Sequence, residues 1–438
     1  MLAAAKLKEL ISGHTGSDAE YWDFADVISR SGGHGLFQYP AMMVPELQGA
    51  LLDDLMAADS SLATVYDPFM GSGTVMLEAR YRGLSFHGTD INPMAVLLCD
   101  VKANPPSGDD ATMALDSVLK DLNEQSEFTL HHFLHIKKWF TEAVILDLSR
   151  LRAAIMLQKD LKLRRFLWIC LAETVRLVSN SRISTFKLHI YAKEVLEQRR
   201  PNAIQMFETV GRSNAKRAGE HWLRLSSSVQ ADRTPFTTLL RGDVSSDAAA
   251  PSSPVDIVMT SPPYGDNHTT VPYGQHSYLP LCWIDSSDLV GDIDKSLFAT
   301  PSALDTASLG GSRAYRAQRA ADLPREYPSM ATLLSQISDM PHLESKVVSF
   351  VDDYTLALGR ISERLRPGGF SLWTLGERRV NGSEMPLVAL TKEALEKHGS
   401  THVTTVTRRL KRKRMAVRNR TGATMGTEQI LIMQKAVS

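Results

Sequence analysis

The chain has few cysteines, no long hydrophobic run and no net charge. Its 438 residues include three cysteines, Cys99, Cys170 and Cys282, which stand far apart and form no CxxC pair. A disulfide framework or a zinc site is therefore not expected, and a reducing cytoplasm fits this usage. No apolar run is long enough to cross a bilayer, and the lysines and glutamate of residues 1–10 are unlike a secretory signal. We expect no membrane partner.

The net charge of zero conceals an uneven distribution of charged residues along the chain. Lysine and arginine together number 49, as do aspartate and glutamate, which argues against a uniformly basic nucleic-acid-binding protein. Residues 151–225 nevertheless carry 15 basic and six acidic side chains, and residues 408–420 carry eight basic and no acidic ones. Such asymmetry suits a protein with one face toward phosphates. Solvated helix faces are the alternative explanation.

The beginning of the chain has the pattern of a parallel α/β sheet. A helix is predicted over residues 45–57, a short buried strand over 63–66 and a second strand over 84–89, which ends at Asp90. Between the two strands lies a glycine-rich loop, residues 67–74, with the sequence DPFMGSGT. Strand, glycine loop, helix, strand and acidic residue in this order are typical of an open sheet with helices on its faces.

The middle of the chain changes to helical periodicity. Residues 102–235 are predicted to form an inserted helical lobe, because apolar residues recur there at helical spacing with few turn residues between them. The flanking segments, 1–101 and 236–438, would together form a catalytic domain. Residues 286–342, rich in serine, alanine, glycine and aspartate, are expected to be a long irregular excursion.

The last part of the chain is predicted to return to the sheet. A helix over residues 347–365 would stop at a turn formed by residues 366–369 (RPGG). The remaining predicted elements are strands over 237–240, 255–259, 370–374, 402–407 and 428–433 and a helix near 391–397.

The glycine loop has the features of a nucleotide site. Gly71 and Gly73 lack Cβ atoms, so the backbone can take unusual dihedral angles and press against a ligand. A Walker A loop needs a lysine after Gly73, and a dinucleotide fingerprint needs a glycine where Met76 stands. Asp67, at the end of the first strand, can accept a hydrogen bond from an ammonium or hydroxyl group. Asp90, at the end of the second, is placed for the two hydroxyls of a ribose.

Residues 260–264, with the sequence TSPPY, are the most informative segment. Pro262 and Pro263 fix φ and remove two backbone donors, which leaves carbonyl oxygens as unused acceptors. A base amine is a poor nucleophile because its lone pair is delocalised into the ring. The Ser261 hydroxyl and the Pro262 carbonyl could accept its two N–H bonds and orient the lone pair toward a methyl donor. Tyr264 would offer a flat face to an extruded base. The alternative is a rigid strand end without chemistry.

Three further signals are weaker. Asp243, after a predicted strand, could accept a hydrogen bond from an adenine amino group, although alone it would be read as a turn residue. The aromatic and polar run 264–278 is expected to border the base pocket. His131 and His135 lie one helical turn apart beside His132 and Glu127, but no cysteine is near and methyl transfer from a sulfonium needs no metal, so no metal site is expected.

Residues 67–74 and 260–264 together strongly resemble the amino-methyltransferases of DNA, which share a Rossmann-like class I α/β fold and use S-adenosylmethionine (AdoMet) as cofactor. Residues 38–47 resemble the family's first cofactor motif, which helps to bind the methionine end of AdoMet. The resemblance covers residues 1–101 and 236–438 and leaves the helical lobe unexplained. It implies that AdoMet is bound by Tyr39, Pro40, Asp67, Phe69, Gly71, Gly73, Thr74, Asp90, Ile91 and Asp243.

Within this family, the sequence SPPY is typical of N4-cytosine enzymes, and DPPY or NPPY is typical of N6-adenine enzymes. The resemblance therefore favours methylation of cytosine N4 in double-stranded DNA, with adenine N6 as the alternative. An RNA or protein amide methyltransferase and a catalytically silent nucleic-acid-binding subunit are the other hypotheses. A restriction nuclease or another defence protein is a candidate partner.

The sequence leaves open which segment reads DNA. One candidate is residues 286–342, and another is the basic segment 408–420. The third is a set of basic residues in the helical lobe: Arg164, Arg165, Arg176, Arg182 and Lys187.

Overall fold

The computed structural model describes residues 2–25, 30–124, 127–228, 234–265, 271–310, 317–376, 378–410 and 426–437. The strands are β1 (Thr64–Asp67), β2 (Ser85–Asp90), β3 (Thr237–Arg241), β4 (Val255–Thr260), β5 (Leu365–Gly376), β6 (Arg378–Val380), β7 (Ser383–Met385), β8 (Ser400–Arg409) and β9 (Thr427–Lys435). The helices are α1 (Leu2–Ser17), α2 (Pro45–Ala58), α3 (Thr74–Tyr81), α4 (Pro93–Ala103), α5 (Gly108–Glu124), α6 (Ile136–Trp139), α7 (Glu142–Leu157), α8 (Leu161–Val178), α9 (Lys193–Gln198), α10 (Ala203–Ser227), α11 (Tyr273–Trp283), α12 (Ala303–Ala307), α13 (Ala317–Glu326), α14 (Ala331–Ile337), α15 (Pro341–Arg364) and α16 (Leu387–Lys397). None of these helices is long and apolar enough to cross a membrane.

Seven strands form the central sheet, in the order β3-β2-β1-β4-β5-β9-β8. The first five are parallel, and β9 runs antiparallel to both β5 and β8. The strand order reverses direction between β1 and β4, and ligands of open α/β sheets bind at the carboxyl ends of the strands beside such a switch point. The prediction of a Rossmann-like α/β fold is confirmed.

Both faces of the sheet are buried, which explains why β4 reads as a nearly continuous apolar run. Successive side chains of a strand point to opposite faces. Ile257 and Met259 therefore pack in the core formed with α1, α2 and α3, whereas Val258 packs in the core formed with α14, α15 and α16. The layers are helix, sheet and helix.

The helix α4, which ends at Ala103, was not predicted. The helices predicted between residues 102 and 235 are present as α5 to α10. Their buried side chains form a third core, which also takes in residues of α11. The helix α5 illustrates the pattern, because Ala111, Leu115 and Val118 recur at helical spacing and all are buried. The division into a catalytic domain and an inserted lobe stays a prediction.

Two predictions about the chain are wrong. Residues 366–369 do not form a turn before a strand but lie within β5. Between the paired residues Val255–Leu365 and Ile257–Phe370, β4 advances by two residues while β5 advances by five. Gly368 has φ +77°, which lets the extra residues bulge out of the strand. The helix that precedes them is longer than expected, because α15 begins at Pro341.

Residues 286–310 and 317–342 are the second correction, because they are not an irregular excursion; residues 311–316 of the predicted segment lie outside the described residues. They contain α12, α13 and α14 and the first two residues of α15. Leu323, Leu333 and Ile337 are buried in the core against α15. The composition is typical of a loop, but burial of these few large side chains outweighs the weak helix propensity of their neighbours.

Candidate active site

One cavity lies at the carboxyl ends of the parallel strands, beside the switch point. It encloses about 880 Å³ of empty space, a volume that includes open solvent at its mouth. The residues singled out in the sequence that line it are Tyr39, Pro40, Phe69, Gly71, Asp90, Ile91, Asp243, Ser261 and Pro263. The fold therefore brings the predicted cofactor motifs and part of the predicted catalytic turn to one place.

The Asp90 carboxylate is held by backbone amides. Its Oδ2 accepts a hydrogen bond from the Gly71 N–H at 2.9 Å, and its Oδ1 accepts one from the Asn92 N–H at 2.8 Å. Burial raises the pKa of Asp90 to about 6. Each carboxylate oxygen has a second lone pair, so Asp90 can fix the glycine loop and still accept the hydroxyls of a ribose.

The glycine loop is supported from below by α4. Gly71 and Gly73 have φ values of +47° and +72°, in the region that favours glycine, and a Cβ on Gly73 would lie 2.8 Å from the Cys99 Sγ. The buried Lys102 donates from Nζ to the Ser72 carbonyl at 2.7 Å, and burial lowers the pKa of its ammonium group to about 8. Sequence reasoning missed Lys102, although a lysine in the apolar run of α4 was a visible signal.

Asp67 lies beneath the cavity and not on its wall. It is fully buried, and its Oδ1 accepts hydrogen bonds from the Thr260 hydroxyl at 2.6 Å and the Phe69 N–H at 3.1 Å. Burial raises the pKa of Asp67 to about 7. Its Oδ2 has no hydrogen-bond partner within the described part of the chain. Asp67 thus joins the loop after β1 to the residue that precedes Ser261.

Gly73 and Thr74 also lie outside the cavity lining. The buried Thr74 hydroxyl is 3.2 Å from the Ser72 hydroxyl at the start of α3. The structure thus places both residues in the support of the glycine loop, and their predicted contact with the cofactor stays a prediction.

Aromatic side chains from two segments singled out in the sequence complete one wall. The Tyr39 ring stacks on the Tyr273 ring with 5.8 Å between the centroids, and the Tyr39 hydroxyl accepts a hydrogen bond from Asn92 Nδ2 at 3.0 Å. The same Asn92 amide donates to the Ser277 hydroxyl at 2.8 Å. Ala41, also in the lining, has φ +47°, a strained value for a residue with a Cβ.

The predicted catalytic turn follows β4 and is only partly exposed to the cavity. Ser261 and Pro263 line the cavity, whereas Pro262 and Tyr264 are not among its lining residues. The Ser261 Oγ lies 3.1 Å from the Tyr264 hydroxyl, and either atom can donate. Burial raises the pKa of Tyr264 well above its ordinary value, so the phenol is neutral at physiological pH. Of the predicted pocket run 264–278, Tyr273 lines the cavity, and residues 266–270 lie outside the described residues.

The segment expected to be irregular supplies a further wall. Leu304, Ala307, Ser308 and Leu309, in and after α12, line the cavity. The Asp305 carboxylate accepts hydrogen bonds from the backbone N–H groups of Gly274 at 2.7 Å and Gln275 at 3.3 Å, at the start of α11. This connection between α12 and α11 could not be read from a segment with the composition of a loop.

No group of three His, Cys, Asp or Glu side chains that could hold a metal ion occurs among the residues with described positions. In the histidine cluster, His131 Nε2 is 2.7 Å from the Cys282 carbonyl oxygen. That contact joins the helical lobe to α11.

Comparison with known proteins gives one relative of nearly full length. The chain is 28% identical over 440 residues to the Type II methyltransferase M.MvaI of Kocuria varians, across 95% of this chain and 94% of that protein. No family model matches the chain. Two structures of the rRNA methyltransferase aviRa from Streptomyces viridochromogenes align with 92% of this chain and 90% of theirs, at 11% and 12% identity and a TM-score of 0.34. The chain is thus similar, along almost all of its length, to a Type II methyltransferase.

Proposed function

We propose that the chain is an AdoMet-dependent methyltransferase that modifies an exocyclic amine of a base in double-stranded DNA, cytosine N4 in preference to adenine N6. One observation carries the proposal: Ser261 and Pro263 of the SPPY turn share a cavity with Gly71 and Asp90 of the predicted nucleoside site. The similarity to a Type II methyltransferase supports methyl transfer and DNA as the substrate.

The residues of the cavity fit AdoMet. Asp90 would hold the ribose hydroxyls through the lone pairs that the backbone amides leave unused. Asp243 accepts the N–H and hydroxyl of Ser245 through Oδ1, both at 2.8 Å, which leaves its other oxygen for an adenine amino group. Gly71 has φ +47°, a value that favours glycine, and it lines the cavity. Bound AdoMet would supply an electrophilic methyl group.

The catalytic turn would make the base amine nucleophilic by positioning it. The Ser261 hydroxyl and the Pro262 carbonyl would accept its two N–H bonds, which favours a pyramidal nitrogen with its lone pair directed at the methyl donor. The amine would take the place of the Tyr264 hydroxyl as the partner of the Ser261 Oγ. The Tyr264 ring would stack on the extruded base. Pro263 would keep the turn rigid.

The test is expression in a host without DNA methylation, followed by sequencing that separates 4-methylcytosine from 6-methyladenine. We expect 4-methylcytosine at one fixed sequence. Ser261→Ala and Tyr264→Ala should each lower methylation about 100-fold or more, the usual effect of losing a group that acts in the transition state. Calorimetry should show that both variants bind AdoMet as the wild type does. Ser61→Ala, whose hydroxyl lies 2.6 Å from Asp59 in the loop before β1, is the matched control.

The outcomes separate the hypotheses. Methylation of adenine N6 would overturn the assignment of the base, and methyl transfer to RNA or protein alone would overturn DNA as the substrate. Absence of AdoMet binding would indicate a silent nucleic-acid-binding subunit. Full activity of both variants would overturn the role of the SPPY turn.

A further inference from the structure

A short hairpin, residues 180–191, follows α8. The Arg182 N–H donates to the His189 carbonyl at 2.7 Å, the Tyr191 N–H donates to the Asn180 carbonyl at 2.9 Å, and Ser181 forms an antiparallel bridge with Ile190. These contacts fix the two arms of the 180–191 hairpin, with residues 183–188 at its tip.

The hairpin is attached to the helix that borders the cavity. The Leu188 N–H donates to the Gln275 side-chain oxygen at 3.2 Å, and the Phe186 ring meets the His276 ring edge to face with 5.7 Å between centroids. Both partners lie in the first turn of α11, whose first residue, Tyr273, lines the cavity. The tip of the hairpin is therefore held beside the proposed site of chemistry.

Exposed apolar side chains and basic side chains lie next to each other in the 180–191 hairpin. Ile183 is 48% exposed and Phe186 is 37% exposed, although burial of large apolar side chains is favourable. Residues 179–193 contain three basic side chains, those of Arg182, Lys187 and Lys193, and no acidic one. Proteins that bend or open DNA combine such cations, which meet phosphates, with apolar side chains that enter between base steps.

The structure also distinguishes among the basic residues of the helical lobe. Arg164 forms a bidentate pair with Asp288, with both N···O distances 2.6 Å. Arg165 pairs with Asp100 at 2.9 Å, and Arg176 pairs with Glu173. Arg182 and Lys187 form no ion pair with any residue in the described ranges, so these two cations remain available for phosphates.

We infer that the 180–191 hairpin enters duplex DNA and helps to extrude the target base. Arg182 and Lys187 would contact phosphates, and Phe186 with Ile183 would occupy the space that the base leaves in the stack. The inference rests on the proposed function, because it requires a base to turn out of a duplex into the cavity. It assigns the DNA-contact role to the helical lobe, which the two sequence motifs leave unexplained.

The first experiment compares two double variants on a duplex that contains the mapped target site. Phe186→Ser with Ile183→Ser should lower the methylation rate at saturating DNA about tenfold or more, because the unstacked neighbours lose their apolar contact. Arg182→Gln with Lys187→Gln should instead weaken DNA binding and reduce the slope of log affinity against log salt by about two. AdoMet binding should be unchanged in both.

Leu356→Ser with Arg360→Gln is the matched control. These residues are one exposed apolar and one exposed basic side chain on α15, on the other face of the sheet. The control should methylate and bind DNA as the wild type does.

A second substrate separates base extrusion from a structural defect. When the target base lies opposite a mismatch, less pairing energy opposes extrusion. The deficit of the Phe186→Ser, Ile183→Ser variant should then shrink severalfold, whereas a distorted active site would give the same deficit on both duplexes. The inference would be overturned if the Phe186→Ser, Ile183→Ser variant methylated the paired duplex at the wild-type rate, or if its deficit were equal on both duplexes. It would also be overturned if the variant were defective only on an RNA substrate. If the wild type does not methylate DNA at all, the proposed function fails instead.

Discussion

The glycine loop and the SPPY turn face the same cavity but are supported very differently. The glycine loop is held by backbone φ values, by Asp90 on its cavity side and by Lys102 from below. The side chains of the SPPY turn are paired chiefly with each other, through the Ser261 and Tyr264 hydroxyls. The glycine loop, on the cofactor side, is thus preorganised. On the base side, the hydroxyls of the SPPY turn are paired with each other until a substrate binds.

This difference follows from what each half would bind. A cofactor that returns in every cycle is bound more tightly by a site that needs no rearrangement, since ordering costs are avoided. A base must first leave the duplex, and in its absence a half-buried hydroxyl without a partner would cost free energy. The mutual pairing of Ser261 and Tyr264 avoids that cost. The comparison predicts separable effects: changes on the cofactor side should alter AdoMet affinity, and changes at the turn should alter the rate.

Asp90→Asn should have the largest effect on the cofactor side. An amide cannot accept both backbone N–H groups and ribose hydroxyls as a carboxylate does, so the AdoMet dissociation constant should rise about 10- to 100-fold. The pKa of Asp90 is raised to about 6, and the ionised form is the better acceptor. Wild-type affinity should therefore increase from pH 5 to pH 7, and the variant should lack this increase. Calorimetry across this pH range is the measurement.

The control for Asp90→Asn is Asp59→Asn. Asp59 also accepts the N–H of the residue two positions on, Ser61, at 2.9 Å, but it lies in the loop before β1, away from the cavity. Unchanged affinity and pH dependence in Asp90→Asn would contradict the ribose contact. If the AdoMet affinity of Asp90→Asn still changed with pH near pH 7, the titrating group would be Asp67, whose pKa is raised to about 7.

The sequence predicted the cofactor side better than its surroundings, because the motif is local. Strand, glycine loop and Asp90 lie within one short stretch, and strand ends of a parallel sheet necessarily meet at one edge. The contact of Asn92 with Ser277 joins residues 185 positions apart, and nothing in either local sequence requires it. Tyr273 lies in the run 264–278, which was expected to border the base pocket, and it lines the cavity.

The predictions from the sequence were wrong where local composition indicates one structure and tertiary packing imposes another. Residues 366–369 carry the residues of a turn, yet pairing of β5 with β4 continues on both sides of them and makes them a bulge. Residues 286–342 have the composition of a loop, yet a few large side chains, such as Leu323 and Leu333, gain enough from burial to order helices. Lys102 was missed because a buried lysine is uncommon and its partner is a backbone carbonyl, which has no sequence signature.

Lys102→Met should weaken AdoMet binding without slowing the reaction. Methionine keeps most of the volume, but the Ser72 carbonyl loses its donor at 2.7 Å. Loss of a hydrogen bond worth about 1 kcal/mol predicts a rise of about fivefold in the AdoMet dissociation constant. At saturating AdoMet the rate should stay within about twofold of the wild type. Lys120→Met, an exposed lysine of α5, is the control. A rate that falls as much as the affinity would show that the two sides are coupled.

Tyr264→Phe should have the smallest effect, and it tests the pairing of the two hydroxyls directly. The phenylalanine keeps the ring that would stack on the base but removes the hydroxyl 3.1 Å from Ser261 Oγ. The Ser261 hydroxyl then has no partner to exchange, so the rate should equal that of the wild type or exceed it by up to about threefold, since a hydrogen bond this long is at the weak end of the range, about 0.5 kcal/mol. Single-turnover methylation of the target duplex, with Tyr264→Ala in parallel, measures this. A loss of tenfold or more in Tyr264→Phe would mean that the hydroxyl itself takes part in the reaction, and the SPPY turn would then be as preorganised as the glycine loop.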